Sequence, residues 1–585
     1  MTRLQLRGMP DELHLPPPGP RVCDAVMERA GQHPDRPAVI CGDDTLSYGE
    51  LAAAALPLAR ELSTDGRYAG SRRIGIRSHR TVSTVALALG VSLSGRSFVF
   101  LNPEAPDGVA RHIRSSSGVS VVLDPRTGER VTYPRADAEP AAAPAPEDEA
   151  YVLYTSGTSG RPKGVSVSHD NLAASNAARL TVYDGFGTPV FLLLSPFHFD
   201  SSVAGIWGTL AAGGTLVVAG EDERRNPRAL VGLVARHGVT HTLTVPSFYT
   251  ELLHTVREDD RLAGDLASLR LVICAGESLT RGVIDQHFAL LPAVSLGNEY
   301  GPTECTVWST CRVYDKPAEP TIGFPVPGTA VHLLDGHLRE VPPGEVGQIA
   351  VSGVGVTRGY VGDEAETRAR FVEVEAEAGR TVRVYLTGDL GRWSDRGGLE
   401  FVGRLDNEVK IRGVRVHLET IEEALAAHPG VQSAAVAYDT GTSVCYAFAV
   451  KEPGAEVDAA SVRRFVTEAL GAAVVPDRIL FADTLPRSAH DKIDRAALLA
   501  SVRTAVPKST AGDGLADQVA QAWEQILGVP VRQGETGTFF DLGGNSLTVL
   551  KLSRALGKIV GRPVGVKQVY RCGTIPQQVD LLTRS

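Results

Sequence analysis

A change of pattern near residue 506 constrains the fold most. Upstream of it, short apolar runs such as "VFLLLSP" and "GTLVVAG" alternate with helix-like stretches such as "NPRALVGLVARHG". That alternation predicts α/β architecture with buried strands. "VPKSTAGDG", Val506 to Gly514, has the composition of a linker. Beyond it only helical periodicity remains. "LADQVAQAWEQILG" sets Leu515, Val519, Trp523, Ile526 and Leu527 on one helical face. "NSLTVLKLSRALG" sets Leu547, Leu550 and Arg554 on one stripe and Val549, Leu552 and Leu556 on another. "TIPQQVDLLTRS" offers Thr574 as an N-cap with Pro576 in the first turn. The tail therefore reads as a small helical bundle.

Composition removes several classes of function. A chain of 585 residues has room for three or four domains. Its net charge of −9 and pI near 6.0 argue against nucleic acid or an anionic membrane as the main partner. No run of about 18 apolar residues is present to span a bilayer, and the first residues lack the apolar core of a signal peptide. The seven cysteines never form C-x-x-C, so they read as thiols in a reducing, cytoplasmic setting rather than as a metal site or disulfide frame. "EPAAAPAPEDEA", Glu139 to Ala150, reads as a surface loop.

"YTSGTSGRPKG", Tyr154 to Gly164, is dense in glycine and hydroxyls and carries one lysine. Glycines let backbone N–H groups approach a ligand closely, and hydroxyls and an ammonium add donors, which together suit a polyanion such as a nucleotide phosphate. The spacing is not that of the usual P-loop. On composition alone, a polar surface turn is an equal alternative.

Further motifs follow in a fixed order. They are "LSYGEL" (Leu46 to Leu51), "FHFDSS" (Phe197 to Ser202), "NEYGPTE" (Asn298 to Glu304), "YLTGDL" (Tyr385 to Leu390), "GRLDNEVKIRGVRVHLETIE" (Gly403 to Glu422) and "HDKIDRAAL" (His490 to Leu498). Together they resemble the adenylation domains of nonribosomal peptide synthetases, within the superfamily that includes acyl-CoA synthetases and luciferases. The resemblance reaches to about residue 500. It implies a large α/β subdomain over 1–405, a mobile α+β C-terminal subdomain over 406–505, a linker over 506–513 and a four-helix carrier domain over 514–585.

The resemblance also implies roles. Thr155, Ser156, Gly157, Thr158, Ser159, Gly160 and Lys163 would close over the β- and γ-phosphates of ATP. Glu304 would hold Mg²⁺ and Thr303 would touch a phosphate. Glu299, Tyr300 and Gly301 would lie along the nucleotide, with Tyr300 against adenine. Asp389 would accept both ribose hydroxyls, and Arg404 would stand near ribose and phosphate. Lys492 would bridge substrate carboxylate and ATP oxygens as the adenylate forms. It sits in "HDK", where relatives usually carry Asn-Gly-Lys. Asp406 matches the hinge of the mobile subdomain. His417 stands where relatives usually carry Glu.

Asp200 matches the family aspartate that pairs with a substrate α-ammonium, so the resemblance implies an α-amino acid. The remaining pocket positions would be Ser201, Ala204, Thr244, Ile273, Ala275, Glu299, Val307 and Trp308. Ser201, Ala204 and Ala275 are small and predict a roomy pocket. A buried carboxylate at Glu299 needs a partner. A phenol, an amine or a guanidinium would each serve. Thr244, Ile273, Ala275 and Val307 resemble pockets for aromatic substrates, and that resemblance implies a tyrosine-like substrate, with a basic amino acid as the alternative. Trp308 is bulky and would shorten the pocket.

"FFDLGGNSLTVL" in the tail resembles a peptidyl carrier domain, with Ser546 as the attachment point for 4′-phosphopantetheine at the start of a helix. Gly543 and Gly544 would expose its hydroxyl. The whole implies a free-standing loading module. Its partners would be the amino acid, a phosphopantetheinyl transferase, an MbtH-like protein docking near "VQSAAVAYD" (Val431 to Asp439), and downstream condensation or tailoring enzymes. An acyl-CoA synthetase-like ligase and a catalytically degenerate carrier or docking module are the competing readings.

Overall fold

The computed structural model describes residues 20–133, 147–155, 161–375, 381–394, 397–405, 408–411, 413–439, 444–486, 493–504, 514–527, 531, 537–540, 542, 544 and 546–583. The described residues before Asp406 form one compact unit and those after Asn407 a second.

The first unit holds three sheets. A nine-stranded sheet runs, edge to edge, Phe324–Pro325, Thr310–Tyr314, Ser295–Tyr300, Leu271–Ala275, His241–Thr244, Val190–Leu193, Thr215–Val218, Pro37–Cys41 and Asp44–Ser47. Its central strands are parallel, from Pro37–Cys41 through to Ser295–Tyr300. Parallel neighbours require crossover helices, which is why the apolar runs of the sequence alternate with helical ones. A seven-stranded sheet runs Gly359–Tyr360, Lys163–Ser168, Glu149–Thr155, Ser97–Leu101, Arg73–Arg77, Val121–Leu123 and Arg130–Thr132. One core draws Ile74, Phe98 and Tyr151 from this sheet, Phe191, Leu193 and Leu216 from the other, and Leu51, Val85, Leu172 and Trp207 from helices. A separate apolar cluster covers the opposite face of the nine-stranded sheet, with Val272, Cys274, Tyr249 and Val231 among its members.

The third sheet is antiparallel. Thr329–Leu334, Gly347–Gly353, Thr381–Ser394 and Phe371–Glu375 are neighbours in that order, and Gly398–Arg404 also pairs with Thr381–Ser394. This last pairing sets Asp389 directly opposite Arg404.

In the second unit, Glu408–Ile411 pairs with Val414–His417. A three-stranded sheet runs Val431–Asp439, Val444–Lys451 and Arg478–Phe481. The hairpin explains His417. It stands opposite Glu408, with Nε2 2.9 Å from Oε2, while Arg415 Nε donates to Oε1 at 2.6 Å. The histidine serves a buried ion cluster.

Among the described residues from 514 onward lie four helices, Leu515–Leu527, Ser546–Val560, Val566–Arg571 and Ile575–Thr583. Val519, Trp523, Leu527, Val549, Leu552 and Leu556 form their core. The stripe of the second helix that enters this core is thus the Val549–Leu552–Leu556 one, while Leu550 is buried without belonging to it. Trp523 Nε1 donates to Gln578 Oε1 at 2.8 Å and packs edge-on to Phe539.

Candidate active site

The glycine-rich loop joins two antiparallel strands. Thr155 ends Glu149–Thr155 and is paired with Lys163, the first residue of Lys163–Ser168. A buried network anchors this hairpin. Arg73 donates from Nε and Nη2 to the two oxygens of Glu149 at 2.8 Å each, and Ser97 and Ser166 donate to the same carboxylate at 2.6 Å. Every partner in it is matched, which is the condition for burying such a pair. Ser156, Gly157, Thr158, Ser159 and Gly160 lie outside the described residues. Lys163, expected as a phosphate donor, is held 2.8 Å from Glu366. Burial works against the Glu366 charge, but Lys163 and Arg370 keep its carboxyl below the usual range.

Two polar clusters occupy the ends of the central strands, the general position for ligands in open α/β sheets. In the first, Thr303 Oγ1 donates to Asp200 Oδ2 at 2.6 Å. Asp200 opens the helix Asp200–Ala211, where an acid is favoured by the helix dipole. Burial pushes the Tyr151 hydroxyl up, and the charge of Asp200 adds to it. Glu304 is 1% exposed, and Tyr360 donates to its Oε1 at 2.7 Å.

In the second cluster, Tyr300 donates to Asp389 Oδ2 at 2.5 Å, and Arg404 pairs with Asp389 from the opposite strand. Burial and Asp389 push the Tyr300 hydroxyl well up. The Tyr300 ring lies 6.5 Å from that of Phe401, which is 39% exposed. Gly301 is required by close packing, since a Cβ there would lie 2.4 Å from Trp308 Cα.

Thr306 and Val307 adopt φ of 57° and 81°. Left-handed backbone at two successive β-branched residues is strained, and such strain persists only where neighbours impose it. Here Thr306 Oγ1 donates to Gly355 O at 2.7 Å, and Thr306 O accepts from Ser175 Oγ at 3.0 Å. The strain turns Trp308 into the protein, where it is 2% exposed.

Glu299 departs from expectation. A carboxylate open to a tyrosine phenol or a basic side chain was anticipated. Instead Arg179 donates from both terminal nitrogens to its two oxygens, at 2.5 and 2.8 Å, and Tyr183 donates to Oε1 at 2.6 Å. Its charge is neutralised inside the protein, because the helix His169–Val182 aims Arg179 at the end of the Ser295–Tyr300 strand. Ala275 is in register with Glu299. Ile273 lies two residue pairs back on the same face, beside Gly297. Thr244 is not brought there. It is in register with Cys274 and borders an apolar space with Leu194, Phe248 and Tyr249 on the opposite face. Ser201 donates to Ser195 Oγ at 2.9 Å, and Ala204 is buried on the same helix.

Arg179, Tyr183 and Tyr360 were missed in the sequence. Asn176, Arg179 and Tyr183 share one stripe of a helix otherwise rich in alanine. An arginine on such a stripe, with an acid in an apolar strand, was the available signal. Lys492 and Asp406 lie outside the described residues. In the carrier region, Ser546 is the first residue of Ser546–Val560. Gly544 is there for packing, since a Cβ would lie 2.2 Å from the Phe539 ring, and its N–H donates to Phe539 O at 2.8 Å. Gly543, expected with it to expose the serine, lies outside the described residues.

The chain has relatives among known proteins. The sequence matches the AMP-binding enzyme family over residues 26–361, the AMP-binding enzyme C-terminal domain over 420–492 and the phosphopantetheine attachment site family over 517–582. It is 34% identical to bacitracin synthase 3 of Bacillus licheniformis, with 95% of this chain and 9% of that protein covered. It is 32% identical to phosphinothricin tripeptide synthetase PhsC of Streptomyces viridochromogenes, covering 97% of this chain and 54% of that one. The chain thus spans about half or less of these two relatives. Its fold is similar to that of holo-PA1221, a nonribosomal peptide synthetase protein containing adenylation and carrier domains bound to a vinylsulfonamide inhibitor. The TM-score is 0.79 at 27% identity, with 96% of each chain covered. No helix among the described residues is long and apolar enough to cross a membrane. The chain belongs to the AMP-binding enzymes, as an adenylation region of nonribosomal peptide synthetase type followed by a phosphopantetheine carrier domain.

Proposed function

We propose that the chain activates an α-amino acid as its adenylate with ATP and transfers the aminoacyl group to a phosphopantetheine thiol on its own carrier domain. The observation that carries this reading is the Thr303–Asp200 hydrogen bond. It joins the expected ammonium anchor to the motif expected at the phosphates, so that the two reacting ends of the substrates meet. Asp200 binds the ammonium, Thr303 the phosphate, and Asp389 the ribose with Arg404 beside it. Tyr300, fixed by Asp389, flanks the base. Thr155, the loop 156–160 and Lys163 cover the β- and γ-phosphates. The substrate carboxylate attacks the α-phosphorus, pyrophosphate leaves, and Lys492 stabilises the growing charge.

Mg²⁺ fits this site. The described residues hold no cluster of three candidate ligands, and the buried carboxylate of Glu304 is the kind of single protein ligand that Mg²⁺ takes alongside substrate phosphates. When bound, the ion neutralises phosphate oxygens. A phosphopantetheinyl transferase moves the 4′-phosphopantetheine of coenzyme A onto the Ser546 hydroxyl, with adenosine 3′,5′-bisphosphate as the leaving group. The loaded carrier then serves condensation or tailoring enzymes. Val431–Asp439 ends the three-stranded sheet, and an MbtH-like protein would dock near it.

ATP–pyrophosphate exchange over the amino acids tests the first step. Lys492→Ala is expected to lower exchange by about 10²–10³ while sparing transfer from preformed aminoacyl-AMP. Ser546→Ala is expected to exchange normally and to gain no mass on treatment with a phosphopantetheinyl transferase. Exchange by Lys492→Ala at the wild-type rate removes the assignment. The acyl-CoA ligase reading would need neither Asp200 nor a carrier serine.

A further inference from the structure

The small residues expected to leave a roomy pocket are backed by one ion pair. Ala204 and Gly208 stand four apart on Asp200–Ala211 and so share a face. A Cβ on Gly208 would lie 3.8 Å from Arg179 Cδ and 3.8 Å from Asn176 Oδ1. Ala275 sits beside Glu299 in the sheet, and Glu299 takes both terminal nitrogens of Arg179. The guanidinium carbon lies 4.2 Å over the Trp308 ring, and the Tyr183 ring stacks on Trp308 with centroids 5.9 Å apart. Arg179 is 7% exposed and Trp308 2%. Arg179 thus lies over the helix face that Gly208 shares with Ala204 and is bound to the register neighbour of Ala275.

We propose that Arg179, locked between Glu299 and Trp308, is a specificity-determining residue that closes the far end of the amino-acid pocket and restricts the substrate to a short, uncharged side chain. This rests on the amino-acid activation reading above. Charge and room both oppose other side chains. A long neutral side chain would have to displace the guanidinium, leaving Glu299 buried without its counterion, and such a break is costly. A basic side chain meets a fixed cation. An acidic one must compete with a carboxylate already bonded at both oxygens. Tyr183 completes the lock, since its hydroxyl is spent on Glu299.

The test is ATP–pyrophosphate exchange by the purified full chain with alanine, serine, phenylalanine, tyrosine, lysine, ornithine and aspartate. In the wild type, kcat/KM for alanine or serine is expected to exceed that for the aromatic, basic and acidic substrates by about tenfold or more. Arg179→Ala should gain exchange with lysine or ornithine by about tenfold, because a cationic side chain can replace the missing counterion of Glu299. In the double variant Arg179→Ala/Glu299→Ala that gain should pass to tyrosine and phenylalanine. A wild type that takes tyrosine or lysine as well as alanine overturns the proposal and leaves amino-acid activation intact. So does an Arg179→Ala variant with unchanged selectivity. Exchange with no amino acid, but with a simple carboxylic acid, overturns the activation reading and this inference with it. If the variants fail to fold, the wild-type ranking alone decides.

Discussion

Thr303 and Asp200, 103 positions apart in the chain, are joined by a 2.6 Å hydrogen bond in which the threonine hydroxyl donates to the carboxylate. The bond orients Asp200 at the mouth of its helix. Asp200→Asn keeps the shape and removes the charge. It is expected to lower kcat/KM for the amino acid by about 10²–10³, the cost of leaving an ammonium unpaired in a dry site. Thr303→Val should cost about tenfold, the worth of one hydrogen bond to a charged group. Amino-acid titrations in the exchange reaction decide. A wild-type constant for Asp200→Asn would remove the anchor role.

Asp389 holds Tyr300 by one oxygen and Arg404 by the other. Asp389→Ala frees both and deletes the acceptors expected to receive the ribose. The KM for ATP should rise about tenfold to a hundredfold, since hydrogen bonds to a charged group contribute roughly 1.5–3 kcal/mol. The amino-acid KM should change far less. A rise in the amino-acid KM alone would place Asp389 elsewhere.

Glu299→Ala should destabilise the first unit. Removing one partner of a buried pair leaves the other charge stranded and costs about 3–5 kcal/mol. Arg179→Leu added to Glu299→Ala should recover a good part of that loss. Urea unfolding of the wild type and the two variants measures it. An unchanged midpoint for Glu299→Ala would mean that the carboxylate is solvated, contrary to the geometry.

Acid should weaken the fold through two imidazoles, the buried His241 and the half-buried His198. Burial pushes His198 and His241 down from 6.5 to about 4. Between those values the unfolded chain binds protons that the folded chain does not, so stability is full above about pH 6.5 and falls as pH drops toward 4. At pH 5 each histidine costs about 2 kcal/mol. His241→Gln should therefore flatten the loss in urea midpoint between pH 7 and pH 5. Parallel pH profiles for variant and wild type would exclude His241 as a source.

The order of elements was legible in the sequence because it follows from local pattern. Alternating apolar runs and helical stretches gave the α/β region. Three-residue and four-residue spacing in Leu515–Leu527 and Ser546–Val560 gave the bundle, down to the buried Trp523. The motifs named Asp200, Thr303, Tyr300 and Asp389, and the fold sets them at a helix start, in the turn after a strand, at a strand end and within the long strand Thr381–Ser394. Tertiary structure decided the rest. Whether Glu299 faces a ligand or a protein partner depends on Arg179, 120 positions away on another helix, and no local periodicity records which cation reaches a buried acid. The same holds for Thr244, turned to the opposite face by its register with Cys274. It holds too for Gly544, whose missing Cβ makes room for the Phe539 ring. Register and close packing are set by contacts distant in the chain, so a pocket's walls could be named from sequence while its depth could not.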